Sequence, residues 1–218
     1  MRTLLEAKGL TKRYGGLLAN DAVDLAIAPG EIRGLIGPNG AGKTTLVNLL
    51  TGVERPDGGR IGLGGVDLAG LAPHRIASLG VVRTFQVARL FGNLSVRENL
   101  MVAFLAAANS ARMRDGLARA EDLLSRATLA GLADAPAGTL SGGQRMLLQA
   151  CACFMVPDVR LYVLDEPFAG INPVVKDVLI SLIERENAGQ DVHARDVAGA
   201  QVIDLQYRWR AHAAARPR

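Results

Sequence analysis

The sequence predicts an α/β fold with a largely parallel sheet, and three observations carry that prediction. Segments of strand character alternate with segments of helical character through most of the 218 residues, which is how parallel strands joined by crossover helices read. A glycine-rich stretch, Gly37-Pro38-Asn39-Gly40-Ala41-Gly42-Lys43-Thr44, separates a strand candidate from a helix candidate. A fully apolar run, Leu161-Tyr162-Val163-Leu164, closes on Asp165-Glu166, as a strand buried on both faces does.

Taken in order, residues 3–36 read as strands with turns. Leu4-Leu5-Glu6-Ala7 and Ala22-Val23-Asp24-Leu25-Ala26-Ile27 partly alternate. Pro29-Gly30 marks a turn, and Ile32–Ile36 is a short strand candidate. A helix is expected from about Gly42 to Thr51, stopped by Gly52. A strand is expected at Arg60–Leu63, a short helix at Pro73–Leu79 and a further strand at Gly80–Phe85. Ser95-Val96-Arg97-Glu98 has the spacing of a capping box and should open a helix running to about Ala108. Helices follow at about 115–130 and 142–155, and Pro173 starts one that runs to about Asn187. The stretch 87–155 has no strand pattern and reads as a helical insertion.

Composition bounds the function. Apolar residues make up 49% and charged residues 21%, an ordinary globular balance. The longest apolar run, Leu100–Ala108, is nine residues, against the roughly 20 that a membrane span needs. The N-terminus has no apolar signal core. The expectation is a soluble, cytoplasmic protein that reaches a membrane only through a partner. Cys151 and Cys153 stand two apart and would point to different helix faces, so they are expected to be reduced, buried thiols rather than a metal pair. The formal charge is +4 and 21 of the 25 cations are arginines. The last thirty residues alone carry five Arg and three Asp, so the rest is only mildly basic and no nucleic-acid partner is expected.

The glycine-rich stretch matches G-x-x-x-x-G-K-[ST] in full, in the strand-to-helix setting that gives the motif its meaning. Glycines let several N–H groups face one anion, and the following helix adds its positive end. Lys43 would reach the β- and γ-phosphates and the Thr44 hydroxyl would ligate Mg²⁺. Asp165, at the end of the apolar run, is placed to hold the same Mg²⁺. Glu166 could accept a proton from an attacking water.

Leu140-Ser141-Gly142-Gly143-Gln144 lies 20 residues before Leu164-Asp165-Glu166-Pro167. Together with the phosphate loop, this pair of motifs resembles the ABC (ATP-binding cassette) ATPase family over about residues 3–188. The resemblance implies ATP and Mg²⁺ as cofactors. It implies ATP contacts from Gly37, Asn39, Gly40, Ala41, Gly42, Lys43, Thr44 and Thr45, with Tyr14 stacked on adenine, unless Tyr14 is a plain surface tyrosine. Gln86 would sense Mg²⁺ and the attacking water, with Glu166, Gln86 and Lys43 as the catalytic set and Thr44, Gln86 and Asp165 as the metal set. Ser141 and Gly143, with Gln144 beside them, would meet the γ-phosphate held by a second cassette, or else form only a helix cap with a Gly-Gly loop.

Within the family, Arg83-Thr84-Phe85-Gln86, Arg89-Leu90-Phe91, Glu98-Asn99 and Glu166-Pro167-Phe168-Ala169-Gly170 are similar to the branched-chain amino-acid importers, a subgroup that also accounts for Asn172 where the family usually has aspartate. The implied assembly is a pair of cassettes on transmembrane permease subunits at the inner face of the membrane, with a solute-binding protein. The implied organisation is a nucleotide-binding core at 1–86 and 156–188, a helical signature subdomain at 87–155, and an aberrant tail at 189–218 that need not fold.

The tail is where the resemblance stops. The family continues with an apolar strand ending in a histidine that contacts the γ-phosphate, expected near Val197 or Ala198. No such strand is legible, and His193 reads as a solvated, non-functional histidine. A frame change or truncation in the coding sequence near Gly189 would produce this pattern, leaving an exposed sheet edge and ATP binding with weak or absent hydrolysis. Three readings stay open: an importer subunit, a hydrolysis-impaired nucleotide-binding module, and a soluble ABC ATPase without a transport role.

Overall fold

The structure, a computed structural model, describes residues 3–84, 90–107, 113–165, 167–168, 171–188 and 202–204. It contains two sheets. In the first, β1 (Leu5–Tyr14) pairs antiparallel with β2 (Leu17–Ile27) and with β4 (Gly58–Leu63), and β4 pairs with β5 (Val66–Asp67), giving the order β2-β1-β4-β5. The β4–β5 turn uses Gly64 at φ 55° and Gly65 at φ 87°, the left-handed pair that a two-residue hairpin turn requires. In the second sheet β3 (Arg33–Gly34), β8 (Val202–Asp204), β7 (Leu161–Leu164) and β6 (Val81–Arg83) run parallel in the order β3-β8-β7-β6. An α/β fold with a parallel core sheet and an N-terminal antiparallel part is therefore what forms.

β8 corrects the expectation that no strand follows the last helix. Val202–Asp204 lies between β3 and β7 and pairs with both, Ile203 opposite Arg33 on one side and Val163 on the other. Three residues are too few to show alternation, so their strand character comes from backbone pairing on two sides rather than from a sequence pattern. β8 thus fills a place in the sheet where the loss of a strand was expected to leave an exposed edge, β7 is an interior strand, and the parallel sheet draws on residues beyond 188.

β7 also divides the hydrophobic interior. All four of its residues are buried, as its apolar run implied. Leu161 and Val163 face a core built on α1 (Lys43–Leu50), where Leu46, Val47, Leu49 and Leu50 pack between the two sheets against Leu5, Leu10, Ile27, Ile61 and Leu63. Tyr162 and Leu164 face the opposite core, which gathers α3 (Val96–Ala107), α4 (Met113–Arg126), α5 (Gly142–Phe154) and α6 (Pro173–Ala188). There Phe154 meets Tyr162 edge-to-face at 5.2 Å, a favourable aromatic geometry. The short α2 (Pro73–Ser78) adds Ile76 to the α1 core.

Helix ends follow local chemistry. At α3 the capping box forms as its spacing implied: Ser95 N–H donates to Glu98 Oε2 at 2.7 Å and Glu98 N–H to Ser95 Oγ at 3.1 Å. α4 ends before the expected 130 because Thr128 takes a left-handed φ of 57° and Leu129 N–H closes on Leu124 O at 2.8 Å, a Schellman-type stop. Asn172, which the sequence reading set down as a departure shared with the importer subgroup, caps α6 by accepting from Val175 N–H at 2.9 Å. Both cysteines are free, with Cys151 buried and Cys153 half-buried, and desolvation pushes each thiol up to about 12. No helix among the described residues is long and apolar enough to cross a membrane.

Candidate functional site

The phosphate loop joins β3 to α1. Gly40 and Gly42 both hold φ at 81°, and a Cβ on Gly42 would lie 2.2 Å from Ala19 O, so only glycine fits there. Asn20 of β2 steadies the loop by donating from Nδ2 to Gly42 O at 3.3 Å. The Lys43 ammonium folds over the loop, donating to Gly37 O at 2.7 Å and Pro38 O at 2.9 Å. Gly42 is the N-cap of α1 and supplies no side-chain cap. The first N–H groups of the helix thus lack the partner that a Ser or Asp cap would give, and a phosphate suits them. A hollow of about 320 Å³ opens here, lined by Asn20, Gly34, Ile36, Ala41, Gly42 and Lys43 among others. A second, of about 380 Å³, lies by Thr3, Glu6, Arg60 and Asp67, and none of the motif residues lines it.

Asp165 arrives at the end of β7, its side chain only 10% exposed. Its backbone N–H donates to Thr84 Oγ1 at 3.0 Å, and its Oδ2 accepts from Arg83 Nη2 at 2.8 Å. Arg83, on β6, is 12% exposed and reaches α1 through Asn48 Oδ1 at 2.7 Å and Thr51 Oγ1 at 3.4 Å. The side-chain chemistry fits Mg²⁺: a carboxylate and the exposed Thr44 hydroxyl are hard oxygen donors, with phosphate oxygens to supply the rest. Tyr14 closes β1 with its ring 43% exposed and its hydroxyl donating to Glu54. That hydrogen bond raises the Tyr14 phenol above its ordinary value and lowers the Glu54 carboxyl, and the Thr45 hydroxyl also bears on Tyr14.

The signature segment opens α5. Ser141 Oγ accepts from Gln144 N–H at 3.3 Å while Ser141 N–H donates to Gln144 Oε1 at 2.9 Å, a complete capping box. Gly142 and Gly143 form the first helical turn instead of a loop, and a Cβ on Gly143 would press on Val175 of α6 at 3.0 Å. Gln86 and Glu166 lie outside the described residues, as does His193. The sequence reading named Lys43, Thr44, Asp165, Tyr14 and Ser141 as site residues, and it assigned no role to Arg83, Asn48, Glu54 or Asn20. Arg83 entered only as part of a motif string, and the signal available was that an arginine ends a strand beside the strand that carries Asp165.

A glycine-rich loop between a parallel strand and a helix, a lysine closed over it and a buried carboxylate at the end of β7 in the same sheet together define a P-loop nucleotide-binding domain. The model of the family described as ABC transporter matches residues 20–169. The chain belongs to that family and is an ABC ATP-binding subunit similar to the branched-chain amino-acid importer cassettes. It is 42% identical over 204 residues to the high-affinity branched-chain amino acid transport ATP-binding protein BraF of Pseudomonas aeruginosa, covering 88% of this chain and 80% of that one. It is 43% identical over 193 residues to the corresponding protein LivG of Escherichia coli, covering 83% and 75%. The lipopolysaccharide export system ATP-binding protein LptB of Acidithiobacillus ferridurans is 36% identical, covering 95% and 82%. A crystal structure of an ABC transporter ATP-binding cassette in its ADP conformation superposes with a TM-score of 0.78 at 26% identity, covering 95% of this chain and 83% of that one.

Proposed function

We propose that this chain energises an importer of branched-chain or related amino acids. It would work as one of two cassettes that bind Mg-ATP between them, seated on transmembrane permease subunits at the inner face of the membrane and served by a solute-binding protein. The observation that carries the nucleotide reading is the convergence of Lys43 and the uncapped start of α1 on one loop, with Asp165 tied to the same helix through Arg83. Thr44 and Asp165 are the residues that would hold Mg²⁺, which when bound neutralises phosphate charge. Lys43 would orient the β- and γ-phosphates, Tyr14 would stack the base, and Glu166 and Gln86 would handle the attacking water. Ser141 and Gly143 would meet the nucleotide of the opposite cassette. The solute rests on the relatives BraF and LivG, which exceed LptB in identity.

Closure of two cassettes over ATP, transmitted to the permease, would bias which side the transport path faces. The test is complementation. In cells that keep the permease subunits but lack their own cassette, this chain should restore leucine uptake and Lys43→Ala should not. Restored uptake by Lys43→Ala would refute the ATP-driven role, and uptake restored for another solute alone would refute the amino-acid assignment.

A further inference from the structure

We propose that Glu54, Asn48 and Arg83 are positioning residues that connect the base-stacking end of the nucleotide site to its metal-ligating carboxylate. The proposal rests on the reading above, in which Tyr14 meets the base and Asp165 serves Mg²⁺. The side chains form an unbroken series. Tyr14 donates its hydroxyl proton to Glu54 Oε2. Glu54 Oε1 accepts from Asn48 Nδ2 at 2.8 Å. Asn48 Oδ1 accepts from Arg83 Nη1 at 2.7 Å, and Arg83 Nη2 donates to Asp165 Oδ2 at 2.8 Å.

Chemistry fixes the direction of every link. A guanidinium can only donate and a carboxylate can only accept, so the Asn48 amide must turn its oxygen to Arg83 and its nitrogen to Glu54. All four links involve an ionised group, the stronger class of hydrogen bond. The inner end is nearly dry, with Arg83 and Asp165 at 12% and 10% exposure, where such links couple most strongly. Asn48 also stands four residues after Thr44 on α1, hence on the same helix face. Any shift of Asn48 is therefore felt at both residues that would hold the metal. A purely architectural tie between α1 and β6 would need only Arg83 and Asn48. The extension outward to Glu54 and the half-exposed Tyr14 adds little stability, since exposed hydrogen bonds contribute little, but it ends on the residue that meets the base.

The experiment is calorimetric titration of the full chain with ATP across a series of Mg²⁺ concentrations, which requires no hydrolysis. Tyr14→Phe keeps the ring and removes only the hydroxyl, at an exposed position where folding is not at risk. It should raise the Mg²⁺ concentration for half-maximal tightening of ATP binding about fivefold, the lower end of coupling between linked sites. Asn48→Leu, which cuts the middle of the series, should raise it about tenfold, and Tyr14→Phe added to Asn48→Leu should raise it no further, because the connection is already broken. A Tyr14→Phe chain that loses ATP affinity equally with and without Mg²⁺, or a double variant whose effects add, overturns the connection while leaving nucleotide binding in place. A wild-type chain that binds no ATP overturns both readings.

Discussion

Among the described residues, two carboxylates that pair with arginines lie almost out of solvent, and they sit on opposite sides of β7. Asp165 at the end of β7 is 10% exposed and its partner Arg83 is 12% exposed. Glu186 on α6 is 8% exposed, but its partners Arg119 and Arg126 on α4 are 35% and 31% exposed and share a third acidic group, Asp122. Arg83 also donates to Asn48 and Thr51 in and just after α1, whereas Arg119 and Arg126 are about a third exposed and also pair with Asp122. An ion pair is thus a poor guide to function by itself. What each carboxylate can do is set by what its arginine touches next, the helix that follows the phosphate loop in one case and a partly solvated helix in the other.

The largest expected effect lies within the nucleotide half. The phosphate-loop motif is complete, but no histidine stands at Val197 or Ala198, where the family resemblance places one on the γ-phosphate. One such transition-state contact is worth about 10²–10³ in rate. Steady-state phosphate release should therefore fall about that far below BraF or LivG assayed alongside. Equal turnover would show that another group fills the role.

Arginine removal separates the two pairs. Arg83→Met leaves a buried carboxylate without its cation and should cost about 3–5 kcal/mol in urea unfolding. Arg119→Met should cost about 1 kcal/mol, because that arginine is partly solvated and Arg126 remains. Equal losses would erase the distinction. The pH response separates them again. Burial raises the Glu186 carboxyl above its ordinary value despite the arginines, so the folded chain holds that proton more tightly than the unfolded chain. Its contribution to stability is complete below the unfolded value of 4.5 and is lost as pH rises through the folded value. Glu186→Gln should flatten that part of the stability profile, and an unchanged slope would assign the dependence to another group. The smallest effect concerns the turn after β7: Asn172→Ala should cost about 1 kcal/mol by removing the α6 cap, read as a modest fall in Tm.

Legibility in the sequence followed the same division between what a residue is and what it touches. The phosphate loop, the β7 run and most helix limits could be read because one local rule governs each. β1 was longer than its alternation suggested, since register shifts between Ala7 and Leu10 and beyond break the pattern. β8 showed no pattern because three residues carry none. The tie from Asp165 through Arg83 to Asn48 could not be read from the sequence because these partners stand 82 and 35 positions apart along the chain.

The central claim is that this chain binds Mg-ATP through the loop held by Lys43. Calorimetric titration of the wild-type chain and Lys43→Ala with ATP and Mg²⁺ tests it most directly. The expected result is saturable binding to the wild-type chain, with affinity reduced at least about 100-fold by Lys43→Ala, the scale of losing a charge-assisted contact of roughly 3 kcal/mol, and with thermal unfolding unchanged. Equal affinity in the two chains, or no binding by the wild type, would contradict it.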